Sequence, residues 1–373
     1  MNKNIYINSI KQISTQSPLS EDWFENPVYY TEPYVRAIEP DYKLYFTSNE
    51  ARRFGKILKR ALLVSRQVMA ESGVAMPDAI ITGTGLGCIE STEIFLDKLV
   101  REGEEFLNPT HFMQSTHNTI GSLIAIDTKC HSYNNTYAHK GISFECALQD
   151  AFLQMQSGNI QTALVGAHDE MTLAYYTLLK KAGYYRNPNQ KFASETAVAM
   201  MLSTTKTEKT VCEIESVDMR YVTRDMRYEM SDMRGGISDM RYEIDDMTES
   251  QISNLKSQID YIMVGTNGNP ETDKVYFENC AKLFPNVPLL QYKNLFGEIY
   301  TVPALGLYAA AICLQKGKVP EHLRIKNYEL RITNNPKSQI QNLKSDNLKS
   351  QVSKILFYNH FENKNHTFIL LSK

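Results

Sequence analysis

The run Thr162-Ala163-Leu164-Val165-Gly166 constrains the fold more than any other part of the chain. It has no polar residue at alternate positions, so a strand built from it offers no face to water and needs cover on both sides. It is reached from a helix-length segment, Ile142 to Ser157, closed by Gly158. The same grammar recurs. Ala79-Ile80-Ile81-Thr82 reads as a buried strand running into the glycine-rich turn Gly83-Thr84-Gly85-Leu86-Gly87, and Ala197 to Leu202 reads as another buried strand. Residues 4–9 alternate like a strand. Residues 51–72 carry helical spacing through Phe54, Leu58, Ala61, Leu62, Ser65 and Val68. Val302 to Leu314, the longest apolar stretch, is too short to span a bilayer and reads as a buried helix. Strands alternating with helices predict an α/β protein with largely buried sheets. A length of 373 residues favours two lobes over one small core.

Two stretches break this grammar. Asp218, Asp225, Asp232, Asp239 and Asp246 recur every seven residues, each opening an Asp-Met unit. Met226, Met230, Met233, Ile237, Met240, Ile244 and Met247 step by four and three, as in a short coiled-coil-like helix, but Gly235-Gly236 interrupts them. A tolerated surface insertion and a partner-binding helix both fit. A second biased vocabulary, Ser250 to Ile259, returns between Lys337 and Gln351; both pieces are polar and poor in aromatics. The expected organisation is an N-terminal lobe over 1–215, a low-complexity insertion over 216–258 and a C-terminal lobe over 259–373 with a polar stretch at 335–353.

Charge and cysteines exclude several classes. A net charge of −2 gives no basic field for nucleic acid or an anionic membrane. Lys56, Lys59 and Arg60 offer at most a small basic patch. The six cysteines are scattered with no metal-like spacing and read as buried thiols in a reducing compartment. No metal site or cofactor is expected. Gly83 to Gly87 lacks the context of a dinucleotide or phosphate loop. The start, Met1 to Ile7, has neither the apolar core nor the small-residue cleavage site of a signal peptide, and a cytoplasmic location is expected.

Asn135 to Ala151, from a strand through Gly141 into a long helix, resembles the nucleophile region of β-ketoacyl synthases. The resemblance continues through Gln156-Ser157-Gly158 into Ala163-Leu164-Val165-Gly166-Ala167-His168-Asp169-Glu170. Gly83 to Gly87, Gln114 to Gly121, Glu195 to Leu202, Pro270 with Asp273, Pro288 to Gly297 and Gly317-Lys318-Val319-Pro320 are similar to further family motifs, in family order. The resemblance implies a thiolase-like fold: two related lobes in αβαβα layers. It also implies a Cys-His-His set, in which a helix-terminal thiolate carries the acyl group and two histidines stabilise charge. At the matching places this sequence has Gly141, Gly265 and Glu298; only the accompanying Lys293 is retained. The late glycine-rich loop of the family stands here as Asn359 to Asn365. Cys146 lies five residues past Gly141 and faces elsewhere. His139 is expected to pair with a backbone group. Lys293 is expected to form a salt bridge with Glu298 or Glu195.

With no catalytic residue at the three places, the chain most resembles the chain length factors of polyketide-type systems, which pair with an active ketosynthase and shape its acyl tunnel. Aryl polyene and flexirubin-type pathways use similar short subunits. The resemblance places Phe112, Met113, Gln114, His117 and Asn118 in the interface that lines the tunnel, with Phe112 and Met113 limiting its depth. The implied partners are an active ketosynthase and, through it, an acyl carrier protein. The rival readings are an atypical acyltransferase or decarboxylase of the same fold, and a scaffold that binds the carrier protein without chemistry.

Overall fold

The computed structural model describes residues 3–105, 107–185, 187, 189–221, 258–325 and 351–373. Its ten strands are β1 (Ile5–Ile13), β2 (Ala79–Gly83), β3 (Tyr133–Tyr137), β4 (Thr162–Asp169), β5 (Thr196–Ser203), β6 (Cys212–Tyr221), β7 (Tyr261–Val264), β8 (Leu289–Gln291), β9 (Lys354–Phe361) and β10 (Asn365–Ser372). They form one sheet in the order β3-β2-β4-β5-β1-β6-β10-β9-β7-β8. The order repeats itself. Within the first five strands it runs third, second, fourth, fifth, first, and the last five mirror it outward from β6. Parallel and antiparallel pairings match between the halves as well. The halves join through a pairing of only three residues: Ile5, Tyr6 and Ile7 against Ile214, Glu213 and Cys212. These are the two related lobes that the resemblance implied.

The helices are α1 (Ser48–Arg53), α2 (Lys56–Ser72), α3 (Ile89–Glu102), α4 (Pro109–Gln114), α5 (Thr119–Thr128), α6 (Ser143–Ser157), α7 (Leu173–Ala182), α8 (Pro270–Leu283), α9 (Lys293–Phe296) and α10 (Pro303–Lys316). Side-chain alternation along the strands sets the layers. Ala79 and Ile81 face the central core with α6 and α10, while Ile80 faces α2 and α5. Ile355 and Phe357 face the same central core, whereas Leu356 and Tyr358 face α8. The result is helix, sheet, helix, sheet, helix. Every residue of α10 from Pro303 to Leu314 is buried.

The helical pattern over 51–72 is in fact two helices, broken at Phe54-Gly55, with Gly55 capping α2. The basic patch expected at Lys56, Lys59 and Arg60 loses its third member, because Arg60 is fully buried. Its guanidinium meets Glu39 at 2.5 Å and Glu195 at 2.9 Å. Glu195 also accepts from the backbone N–H of Ala37 at 2.8 Å and of Met171 at 3.3 Å. One carboxylate thus ties α2, the 36–39 segment and the start of β5 together. The boundary placed after residue 215 cuts through β6, and Asp218 sits in the sheet opposite Phe368. The remainder of the seven-residue repeat, from Asp225 onward, and most of the 335–353 stretch lie outside the described residues.

Removing one partner of a buried ion pair strands the other charge, at a cost of about 3–5 kcal/mol. Glu195→Ala is therefore expected to lower stability by about that amount in urea denaturation. The double variant Glu195→Leu/Arg60→Met should lose less than the sum of its single changes.

Candidate functional site

Gly141 sits where β3 feeds α6, in a single tight turn over Lys140–Ile142. Ser143 holds this turn: its Oγ donates to the Lys140 carbonyl and accepts from the His139 backbone N–H, both at 2.8 Å. That contact is made by the His139 main chain; its ring instead lies beside Tyr137, with centroids 5.9 Å apart. Gly141 is buried, and a Cβ added there would collide with the ring of Phe361. Phe361 ends β9. Glu362 and Asn363 then turn with φ of 55° and 51°, and the Lys364 N–H donates to the Phe361 carbonyl at 3.1 Å. Two central residues at positive φ make the tight turn that matches strand twist, so the hairpin fixes the ring over the glycine.

Gly265 follows β7. A Cβ there would stand 2.6 Å from Tyr276 Oη, 2.8 Å from Asn359 Oδ1 and 3.0 Å from Tyr292 Oη. The space that a side chain at 265 would need is taken by two tyrosine hydroxyls and an amide. Lys293 opens α9 directly after β8, and Glu298 follows Gly297. The Lys293 ammonium lies 2.8 Å from Glu298 Oε2 and 3.0 Å from Oε1. Of the two carboxylates proposed from sequence, Glu298 is the partner, and Glu195 belongs to Arg60.

Gly141, Gly265, Lys293 and Glu298 line one cavity of about 300 Å³, together with Tyr184, Tyr185, Tyr300, Phe361 and Asn359. Cys146 is not among the lining residues, and burial pushes its thiol up to about 11. Behind Asn359 lies Glu145, one helical turn after Gly141 and fully buried. The Asn359 amide donates to Glu145 Oε1 at 2.6 Å, while Oε2 has no partner. Burial pushes the Glu145 carboxyl up to about 7, against the pull of Asn359 and of the Lys293 charge. Sequence reasoning missed Glu145, although a carboxylate four positions past Gly141, on the helix stripe that carries Leu148 and Phe152, was a readable signal.

The turn Gly83 to Gly87 is held by the chain itself. Asp169 accepts from Thr84 Oγ1 at 2.8 Å and from the Gly85 and Leu86 N–H groups at 2.9 and 2.8 Å. The residues expected at an interface lie elsewhere. Phe112 and Met113, on α4, are 58% and 65% exposed and do not line the cavity. Phe112 leans on Phe95 of α3, with ring centroids 5.3 Å apart. Gln114 donates to the Arg53 carbonyl at 3.0 Å, His117 lies beside Gly87, and Asn118 begins α5. Among the described residues no group of His, Cys, Asp and Glu side chains is arranged to hold a metal ion. Among them, too, no helix is long and apolar enough to cross a membrane.

The family model for the N-terminal domain of β-ketoacyl synthases matches residues 46–251, more than half of the chain. The chain belongs to the β-ketoacyl synthase family. No curated protein matches the sequence. Solved structures of this family share the fold. The structure titled the ishigamide ketosynthase/chain length factor superposes with a TM-score of 0.69 at 13% identity, covering 100% of both chains. A β-ketoacyl synthase from Burkholderia phymatum STM815 gives 0.69 at 11% identity, over 100% of this chain and 99% of that one. The structure of ketosynthase ApeO in complex with its chain length factor ApeC, from Xenorhabdus doucetiae, gives 0.70 at 12% identity, over 99% and 98%.

Two outcomes follow from this β-ketoacyl synthase homologue's site. A carboxyl that titrates near 7 when folded, against its ordinary 4.5, binds more protons in the folded state between those values. Its stabilising contribution is complete below about 4.5 and is lost as pH rises through about 7. Glu145→Gln should therefore raise stability at pH 8, on the order of 1–3 kcal/mol, and change it little at pH 5, as read by denaturant midpoints. Gly141→Cys should cost about 1–3 kcal/mol by overpacking against Phe361, and adding Phe361→Gly should recover part of that loss.

Proposed function

We propose that this chain is the chain-length-setting subunit of a condensing-enzyme heterodimer and carries out no condensation itself. One observation carries the reading: the ring of Phe361 occupies the space a side chain at position 141 would need, in a fold that is otherwise complete. A thiolate there would be the acyl carrier of the reaction, and loss of one member of a catalytic set costs several orders of magnitude in rate. The place matched to one histidine is packed with Tyr276 and Tyr292. The place matched to the other holds Glu298, neutralised by Lys293.

The surface supports a partner. Among the described residues β3 ends the sheet and pairs only with β2, which leaves one edge open there. Open edges are normally covered. Around this edge stand exposed apolar side chains: Ile126 on α5, Tyr133 on β3 and Leu153 on α6. Leu96, Val100, Phe112 and Met113 extend the apolar surface over α3 and α4. We assign this face to an active ketosynthase, as in the ishigamide and ApeO–ApeC pairs named by their titles, with the acyl carrier protein docking on that partner. Phe112 and Met113 would then close the far end of the partner's tunnel. A polyketide of the aryl polyene kind is the product class this reading favours.

The test is coexpression with a synthase that has the full Cys-His-His set. The wild-type chain should copurify with it, and Ile126→Glu or Tyr133→Glu should break the complex. Phe112→Ala and Met113→Ala should lengthen the product by mass spectrometry while the complex stays intact. Unchanged product length in both would overturn the role of these two residues, and failure to copurify would overturn the heterodimer. Release of carbon dioxide from malonyl carrier protein by the purified chain alone would favour the decarboxylase reading.

A further inference from the structure

The cavity beside Gly141 and Gly265 is closed at its inner end. Phe361 fills the space over Gly141, and Tyr276, Asn359 and Tyr292 fill the space over Gly265. A long flexible chain has no passage inward there, so what enters must be compact. Among the described residues that line the cavity, four are charged, two of each sign: Lys140 and Glu362, Lys293 and Glu298. Lys293 and Glu298 neutralise each other at 2.8 Å. An ion of either sign gains little from such a balance.

One part of the wall is aromatic, with Tyr184, Tyr185, Tyr300 and Phe361. Tyr300 and Phe361 stand at 80° to one another, with centroids 6.3 Å apart. A flat ring can stack on only one of two rings set at that angle. A puckered, saturated ring presents C–H groups to both.

Another part is built of carboxamides. The Lys191 N–H donates to the Asn267 carbonyl at 2.7 Å. Gly268 packs so tightly on the next loop that a Cβ there would collide with the Asn189 carbonyl. These contacts lock residues 189–191 beside 267–269 and bring Gln190, Asn267 and Asn269 to the same cavity. Asn267 Oδ1 accepts from the Asn269 N–H at 2.9 Å and from Thr272 Oγ1 at 3.0 Å, and Asn269 Oδ1 accepts from the Glu271 N–H at 3.1 Å. The chain thus uses both asparagine oxygens itself. The side-chain nitrogens of Gln190, Asn267 and Asn269 donate to no described residue, and all three residues are half-buried, open to whatever fills the cavity. Glu298 adds an acceptor to these donors. A carbonyl can only accept, whereas a hydroxyl does both and so serves both kinds of group. It also reproduces the bonds of the water it displaces.

We propose that this cavity binds an uncharged, polyhydroxylated saturated ring of monosaccharide size, with its C–H faces against Tyr300 and Phe361 and its hydroxyls on Gln190, Asn267 and Asn269. The volume, at the small end of ligand pockets, suits one such ring. The site lies within this chain and does not depend on the heterodimer.

The test titrates the full chain, alone and in complex with its synthase, by ligand-observed NMR. The probes are the methyl pyranosides of glucose, galactose and mannose, with cyclohexylmethanol and pantetheine for comparison. Cyclohexylmethanol keeps the saturated ring without its belt of hydroxyls, and pantetheine is a flexible amide chain. At least one glycoside should bind about ten-fold more tightly than either comparison compound. Gln190→Ala should weaken that glycoside about five-fold at an unchanged melting temperature, because the lost amide nitrogen holds no described part of the fold. Leu179→Trp, which narrows the cavity, should abolish binding. Equal or tighter binding of cyclohexylmethanol would make the cavity a plain apolar pocket, and equal or tighter binding of pantetheine would make it a channel for a flexible arm. Either result, an unchanged affinity in Gln190→Ala, or no glycoside bound by either form of the protein, would overturn the proposal.

Discussion

From Pro303 to Leu314 helix α10 has no exposed face, and the rest of the molecule is arranged around that fact. A helix apolar on every side must be enclosed, and one flat sheet can cover only one side of it. The ten-stranded sheet therefore folds back at the three-residue join between β1 and β6, so that its two halves enclose α10 and α6 from opposite sides. Each half then has an outer face that also needs cover, which α2 and α5 supply on one side and α8 on the other. The five layers are the smallest answer to a buried central helix between two buried half-sheets.

Much of this was legible in the sequence. Runs such as Thr162 to Gly166 and Val302 to Leu314 have no hydrophilic face, and that alone demands layers. Gly158 ends α6 at the place its chemistry predicts, in the left-handed conformation. What was not legible depends on contacts far apart in the chain. Arg60 looked like a surface cation because its two carboxylate partners are 21 and 135 residues away. The break between α1 and α2 falls within a run whose periodicity is continuous. β6 reaches into the seven-residue repeat because its partner β10 lies some 150 residues later, and repetition says nothing about pairing.

The site divides the same way. That Gly141, Gly265 and Glu298 carry neither Cys nor His is plain from the sequence. What stands in their place is not. Phe361 reaches Gly141 across 220 positions, and Tyr276 and Tyr292 approach Gly265 from two separate elements. A missing side chain can be read from one position, but its replacement takes a fold to find. Glu145 lies between these cases, visible as an oddity on the stripe of Leu148 and Phe152 but intelligible only beside Asn359 and Lys293.

The packing of Phe361 over Gly141 bears on the chain's ancestry and on what it can still become. Residues in contact do not mutate independently. A cysteine at 141 meets the ring, and any side chain at 265 meets two hydroxyls. A side chain at either place therefore requires coordinated changes around it, and the first of them made alone is destabilising. A lineage that has settled into this arrangement is held there by its own interior, as by a ratchet, and drift is free to reshape its surface long before it can alter these two glycines.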